Sequence, residues 1–220
     1  MNWLKLFTGN YCPVCGKMIE TDRPLCKDCT KSAAYSPYKQ VLSGGFECIS
    51  AFEHYGTFRK IMLDYKYYGH KEYYDNYAMI LCELINKYYD QIKFDHYTAV
   101  PSYGEQKKYG FEKVRSIAKE TAHLQKVKYR QLLIQEKQSK KQHLLTGEER
   151  TENVKDIFGI APKTNIKGKT ILIFDDVVTT GSTLNECCKI LKENGAQKVC
   201  CITVNHAEKD SDTDADTSKF

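Results

Sequence analysis

The sequence predicts an α/β fold in which a parallel sheet is flanked by helices, with a small cysteine-rich module in front of it. The first observation is the apolar run at 171–174, which is typical of a strand covered on both faces. The second is a helical pattern at 184–191 followed by an apolar strand at 199–204, which completes a βαβ unit. The third is a pair of Cys-x-x-Cys motifs near the start of the chain.

The N-terminal module, predicted to span residues 1–35, is defined by Cys12, Cys15, Cys26 and Cys29. Two such pairs ten residues apart suit tetrahedral Zn²⁺, as in zinc ribbons. Four thiolates leave no open coordination position, so we expect a structural zinc. Disulfides are the alternative. The residues before Cys12 are too few and lack an apolar stretch of the length that a signal peptide needs, so we expect a reducing compartment and therefore the metal.

The second domain is predicted to span residues 36–205. Apolar spacing predicts helices at 58–65, 74–88 and 111–121, with a short strand at 97–100 ended by Pro101. Further candidate strands lie at 132–135 and 157–160. The six remaining cysteines fall mostly in apolar patterns and are expected to be small core residues. They are Cys48, Cys82, Cys187, Cys188, Cys200 and Cys201.

The last segment, residues 206–220, contains five acidic residues and two lysines with little to bury, so we expect a disordered acidic tail. The rest of the chain is therefore more basic than the overall net charge of +5. Much of this charge lies at 104–130, where aromatic residues alternate with basic ones, as in grooves that bind single-stranded DNA. A solvated helix face or a loop for pyrophosphate would have the same composition. The candidate nucleic-acid contacts are Lys107, Lys108, Lys113 and Arg115.

Two carboxylates, Asp175 and Asp176, follow the apolar run at 171–174, at the edge where open α/β sheets bind ligands. Beyond them, Gly181 permits a tight turn, and hydroxyl side chains surround the N–H groups of a helix start, which suits a phosphate. Because the acids repel that anion, accepting hydrogen bonds from a vicinal diol is their natural role. A ribose 5-phosphate satisfies both halves. A solvated acidic strand end with a threonine-rich loop is the alternative.

A nucleotide-binding P-loop is excluded by order and spacing. Residues 168–170 read Gly-Lys-Thr, but Lys163 occupies the position of the first glycine, and the motif precedes a strand instead of following one.

The segment 171–183 resembles the phosphoribosyl pyrophosphate motif of type I phosphoribosyltransferases. The resemblance implies that Asp175 and Asp176 are catalytic residues holding the ribose hydroxyls, and that Mg²⁺ offsets the charge of the diphosphate. It also implies that the following residues bind the sugar phosphate. These are Val177, Val178, Thr179, Thr180, Gly181, Ser182 and Thr183.

More widely, the chain is similar to the ComF family, the zinc-bearing and competence-associated branch of phosphoribosyltransferase-like proteins. The cysteine pairs match its zinc module, and the elements at 65–69, 99–101, 110–111 and 142–158 match further family motifs. By this resemblance, Lys66 and Pro101 join the sugar-phosphate site. Transferase activity itself is left open by the sequence.

Two functions follow from the resemblance. In the preferred one, the protein is a competence factor for DNA uptake that binds phosphoribosyl pyrophosphate or a related sugar phosphate, handles incoming single-stranded DNA and docks on the competence ATP-dependent helicase. In the other, it is a metabolic phosphoribosyltransferase in nucleotide or cofactor salvage. We expect a cytoplasmic protein without a transmembrane segment, peripheral at the membrane only through partners. A homodimer fits the same resemblance.

Overall fold

A computed structural model gives the architecture of the 220-residue chain. The structure describes residues 10–12, 15, 17–20, 24–31, 37–53, 74–101, 113–135 and 157–207. Within these ranges, no helix is long and apolar enough to cross a membrane.

The described residues form strands and helices that alternate over most of the chain. The strands are β1 (Asn10–Tyr11), β2 (Met18–Ile19), β3 (Tyr38–Val41), β4 (Glu47–Glu53), β5 (His96–Ala99), β6 (Lys128–Tyr129), β7 (Leu133–Gln135), β8 (Phe158–Ile160), β9 (Thr170–Val178) and β10 (Lys198–His206). The helices are α1 (Lys27–Lys31), α2 (Tyr74–Tyr88), α3 (Lys113–Leu124) and α4 (Ser182–Glu193).

The central sheet has six strands in the order β3-β4-β10-β9-β5-β6. All neighbours pair in parallel except β3, which runs antiparallel to β4. From β9 the chain crosses to β10 on one side, whereas from β5 it crosses to β6 on the other side. The strand order therefore reverses between β9 and β5, and the crevice at their carboxyl ends is where open sheets of this kind bind ligands.

Two apolar layers cover the sheet. One face packs against α2 and α3 through residues such as Leu84, Ile117 and Phe174. The other face packs against α4 through Leu184 and Ile173, together with the antiparallel ribbon of β7 and β8. Burial on both faces explains why β9 begins with a continuous apolar run instead of an alternating pattern.

The structure contains the predicted elements that fall on described residues, although several of them begin or end at different residues. The helix at 74–88 and the βαβ unit are confirmed, and the candidate strands at 132–135 and 157–160 pair with each other as β7 and β8. The helix expected at 111–121 is described from Lys113 to Leu124. Strand β10 extends to His206, one residue into the segment predicted as a tail. The helix at 58–65 and residues 208–220 lie outside the described residues.

The cysteines of the second domain are core residues, as predicted. Cys48, Cys187, Cys188, Cys200 and Cys201 are buried, and Cys82 is half-buried. The Sγ atoms of Cys188 on α4 and Cys201 on β10 are 3.3 Å apart, and both cysteines are free thiols.

Candidate functional site

Asp175 and Asp176 lie in the second half of β9, within the strand rather than after it. The backbone N–H of Asp176 donates to Oδ1 of Asp175 at 2.9 Å, and the N–H of Val177 donates to Oδ1 of Asp176 at 2.8 Å. Each carboxylate therefore accepts a bond from the residue that follows it. Both side chains are half-buried at the carboxyl half of the central strand.

The charge of the Asp175 carboxylate affects the buried thiol of Cys187 on α4. Burial raises the pKa of the Cys187 thiol, and the negative charge of Asp175 raises that pKa further. Cys187 belongs to the apolar layer between the sheet and α4. The Asp175 carboxylate therefore contributes negative potential at Cys187, in the layer between the sheet and α4.

The turn between β9 and α4 consists of three residues. Thr179 is exposed, Thr180 is half-buried and Gly181 is buried. Gly181 has a left-handed φ of 74°, which favours glycine. A Cβ at this position would also lie 2.8 Å from Cδ2 of Leu42, so the turn is closely packed as well. The Oγ atoms of Thr180 and Ser182 are 2.8 Å apart, and the N–H of Ser182 points to Thr180 Oγ1 at 3.4 Å.

Helix α4 begins at Ser182 with Gly181 as its N-cap and without a capping bond from a side chain. The first N–H groups of a helix have no intrahelical acceptors, and the helix dipole favours negative charge there. The N–H of Asn185 makes the first intrahelical bond, to the carbonyl of Gly181 at 2.8 Å. This arrangement of glycine turn, hydroxyls and helix start is suited to an anion such as a phosphate.

Pro101 is the predicted site residue that lies across the crevice. Strand β5 pairs with β9 from His96 to Ala99, and the N–H of Val100 continues the pairing by donating to the Phe174 carbonyl at 2.9 Å. Pro101 follows directly and is half-buried. It therefore lies at the same edge of the sheet as Asp175.

The remaining predicted contacts are only partly described. Lys66, Lys107 and Lys108 lie outside the described residues. Lys113 is the first residue of α3, and Arg115 lies half-buried in its first turn. The family-like elements at 65–69, 110–111 and 142–156 also lie outside these residues.

The N-terminal cysteines meet in one cluster. The ligand atoms of Cys12, Cys15, Cys26 and Cys29 all lie within 4.8 Å of one another, and Cys15 Sγ is 3.6 Å from Cys26 Sγ. Four sulfurs held tetrahedrally at about 2.3 Å from zinc would be roughly 3.8 Å apart. The four cysteines can therefore hold a metal ion such as zinc without rearrangement of the backbone.

The pKa values of Cys26 and Cys29 are shifted in opposite directions. The N–H of Cys29 donates to Cys26 Sγ at 3.4 Å, and this bond lowers the pKa of the Cys26 thiol to about 7. Burial raises the pKa of Cys29 instead. Because metals bind the thiolate, the lowered pKa of Cys26 favours its role as a ligand.

The cysteine module packs on the second domain. Cys12, Leu25, Cys26 and Cys29 belong to the same apolar cluster as the buried face of α2. In addition, the Asn76 side chain of α2 donates to the Pro24 carbonyl at 3.3 Å. The residues that gather the metal ligands thus share a core with the sheet.

Sequence reasoning missed the hairpin formed by β3 and β4, whose tip at 42–46 contacts the turn between β9 and α4 through Leu42. The signal was present, because Gly44-Gly45 lies between two segments rich in β-branched and aromatic residues.

Comparison with known proteins supports the fold. The family model described as "Phosphoribosyl transferase domain" matches residues 72–219. Competence protein F of Haemophilus influenzae is 38% identical over 56 residues, which are 25% of this chain and 24% of that protein. DNA utilization protein YhgH of Escherichia coli is 41% identical over 58 residues, 26% of this chain and 25% of that protein. The chain thus matches about a quarter of the length of these curated relatives.

Among solved structures, a crystal structure of adenine phosphoribosyltransferase covers 80% of this chain and 87% of its own, with 12% identity and a TM-score of 0.42. The expected resemblance to ComF proteins is confirmed by the two curated relatives over the matched quarter. With the family model covering residues 72–219, the chain belongs to the phosphoribosyl transferase domain family.

Proposed function

We propose that this protein is a competence factor for DNA uptake whose phosphoribosyltransferase-like domain binds phosphoribosyl pyrophosphate or a related sugar phosphate. The observation that carries the proposal is the geometry at the carboxyl end of β9. There, two adjacent carboxylates precede a glycine turn that leads into α4. The names of the relatives, which refer to competence and DNA utilization, support the biological role.

In this function, the turn from Thr179 to Thr183 receives the 5-phosphate, because hydroxyls and the start of α4 favour an anion. Asp175 and Asp176 accept hydrogen bonds from the ribose hydroxyls. Bound Mg²⁺ would neutralise part of the diphosphate charge. Pro101, at the end of β5, forms the opposite wall of the crevice.

Transfer chemistry at this site requires a nucleophile. The bond between ribose C1 and the diphosphate oxygen breaks, and its electron pair leaves with pyrophosphate. A nitrogen of the acceptor base forms the new bond to C1 and gives up its proton to the departing pyrophosphate. Holding the ribose by two carboxylates fixes C1 relative to both groups, which is the kind of positioning that accelerates such a displacement.

Single-stranded DNA is the second ligand of the proposed function. Lys107, Lys108, Lys113 and Arg115 are the proposed phosphate contacts, in a segment that follows β5 and enters α3. In the middle of α3, Lys119 Nζ lies 5.8 Å from the centre of the Tyr129 ring, and Lys128 is exposed on the edge strand β6. These residues extend the basic character along α3.

The competence ATP-dependent helicase is the proposed protein partner, with the cysteine module as its docking element. The module presents Met18 of β2 with 70% of its surface exposed, beside the exposed ion pair of Lys17 and Asp28. We expect a cytoplasmic protein that reaches the membrane through this partner.

The test is calorimetric titration of the zinc-loaded protein with phosphoribosyl pyrophosphate and Mg²⁺, followed by a single-stranded oligonucleotide. We expect saturable binding of the sugar phosphate that is lost in Asp175→Asn/Asp176→Asn. Asp90→Asn is the matched control, because Asp90 is an exposed carboxylate after α2, outside the β9–α4 turn. If the double variant binds the sugar phosphate like wild type, the proposed site is wrong.

The DNA part is tested separately by replacing Lys107, Lys108, Lys113 and Arg115 with alanine. Each lost phosphate contact should weaken binding and flatten its dependence on salt concentration. An unchanged salt slope would place the DNA elsewhere.

Metabolic phosphoribosyl transfer in nucleotide or cofactor salvage is the second candidate, favoured by the match of the family model. It differs in one respect: pyrophosphate release would then depend on a free acceptor base and not on DNA. Assay of pyrophosphate release with each purine and pyrimidine base, in the presence and absence of oligonucleotide, separates the two functions.

A further inference from the structure

We infer that the hairpin of β3 and β4 clamps the phosphate turn, holding residues 179–183 in the observed conformation, with Leu42 and Asn185 as positioning residues. The hairpin tip comprises residues 42–46, far from the turn in sequence. In the test below, the measurement of affinity for ribose 5-phosphate rests on the proposed function, whereas the measurement of hydrogen exchange does not.

The apolar half of the clamp is the contact between Leu42 and Gly181. Leu42 is only 5% exposed, in a cluster that includes Val178 and Leu184 on either side of the turn. Its Cδ2 atom would lie 2.8 Å from a Cβ at Gly181. The Leu42 side chain therefore rests directly on the backbone of the turn and leaves it little room to change conformation.

The polar half is made by Asn185, in the first turn of α4. Its Oδ1 accepts from the N–H of Gly44 at 3.0 Å, and its Nδ2 donates to Ser43 Oγ at 2.6 Å. Its own backbone N–H donates to the Gly181 carbonyl at 2.8 Å. One residue thus bonds the hairpin tip with both ends of its amide and bonds the phosphate turn with its backbone.

The hairpin tip is itself shaped for this contact. Gly45 has a left-handed φ of 81°, and its N–H donates to the Leu42 carbonyl at 2.8 Å, which closes the tight turn. A Cβ at Gly44 would lie 2.8 Å from Asn185 Oδ1 and equally close to the Phe46 ring. Only glycine at position 44 therefore lets the hairpin backbone approach α4 this closely.

A turn that samples other conformations binds its ligand more weakly, in proportion to the fraction of molecules that are competent. The clamp raises this fraction before any ligand arrives. Loss of the two Asn185 side-chain bonds, which are solvent-exposed and therefore weak, should together reduce affinity for a 5-phosphate roughly fivefold.

The experiment compares Asn185→Ala, Gly44→Ala and the double variant with wild type. Lys189→Ala is the matched control, because Lys189 is exposed one turn further along α4 and forms a solvent-exposed ion pair with Glu193 at 3.9 Å. Hydrogen exchange of the peptide covering the turn is measured without ligand. Affinity for ribose 5-phosphate is measured by calorimetry, and the melting temperature is recorded for each variant.

We expect faster exchange in the turn of both single variants, unchanged exchange in β9 and α2, and a similar loss of affinity in each. Because both changes break the same contact, the double variant should bind about as well as either single one. Lys189→Ala should match wild type in every measurement.

Unchanged exchange in the turn of both variants would overturn the clamp, as would wild-type affinity for ribose 5-phosphate in both. If wild type itself fails to bind ribose 5-phosphate, the proposed function falls, and the exchange measurement still decides whether the hairpin holds the turn. A general loss of melting temperature with faster exchange throughout the sheet would also overturn the inference, because it would show a merely structural contact.

Discussion

Replacing Gly181 by alanine should destabilise the protein through two separable effects. The left-handed φ of 74° costs an ordinary residue about 1–2 kcal/mol. The new Cβ would lie 2.8 Å from Leu42 Cδ2, and such overpacking costs about 1–3 kcal/mol. We therefore expect Gly181→Ala to lower the free energy of unfolding by about 2–5 kcal/mol, measured by urea denaturation.

Gly168 supplies the matched control for the backbone effect alone. Its φ is 72°, nearly that of Gly181, but nothing lies within 4 Å of a Cβ built there. Gly168→Ala should therefore cost only the conformational part, about 1–2 kcal/mol. The difference between the two alanine variants then measures the contact with Leu42.

A double-mutant cycle with Leu42→Ala completes the test. Leu42→Ala alone should cost about 2–5 kcal/mol, because it empties a buried position. In that background the clash is gone, so Gly181→Ala should now cost about as much as Gly168→Ala. If Gly181→Ala costs the same with and without Leu42, to within about 0.5 kcal/mol, the two residues are not coupled and the reasoning is wrong.

Three further predictions concern the rest of the molecule. Cys29→Ser should lower both the zinc content and the melting temperature. Cys82→Ser, at a half-buried thiol outside the cluster, should leave the zinc content unchanged. A Cys29 variant that loses zinc but melts normally would contradict the shared core. The backbone N–H of Thr170 lowers the pKa of Asp95, so Asp95→Asn should destabilise the protein at pH 7. This difference should begin to shrink as the pH falls below about 4 and should be lost as the pH passes through the lowered pKa of Asp95. A constant difference between pH 7 and pH 3 would refute it. The buried hydroxyl of Tyr89 donates to carbonyls of β10 and β4 at 3.1 and 3.3 Å, so Tyr89→Phe should cost about 1–3 kcal/mol in urea denaturation, and a neutral effect would show that these bonds contribute nothing.

The sequence was most informative where structure depends on neighbouring residues. The strand carrying Asp175 and Asp176, the turn at Gly181 and the helix after it follow each other directly, so apolar spacing and turn chemistry are enough to predict them. The cysteine cluster could be predicted for the same reason, because its four ligands lie within 18 residues, from Cys12 to Cys29.

Contacts between distant segments could not be predicted in this way. The bond between Gly44 and Asn185 joins residues 141 positions apart, and no local pattern indicates that a hairpin will meet a helix start. The packing of the cysteine module on α2 is equally invisible, because the bond from Asn76 to Pro24 spans 52 positions. Polar residues such as Asn185 read as ordinary helix surface until the partner element is placed beside them.

The position of β10 has a consequence for the order in which the chain folds. This strand lies between β4 and β9. The hydroxyls of Ser50 on β4 and Thr203 on β10 form a hydrogen bond at 2.7 Å between residues 153 positions apart. During synthesis β3 and β4 can close their local hairpin early, but β4 cannot join the parallel sheet until the ribosome has released β10. Such long-range pairing slows folding and leaves strand edges exposed in the meantime. The early hairpin, including the residues that later hold the phosphate turn, must therefore wait for nearly the whole chain before it reaches its place.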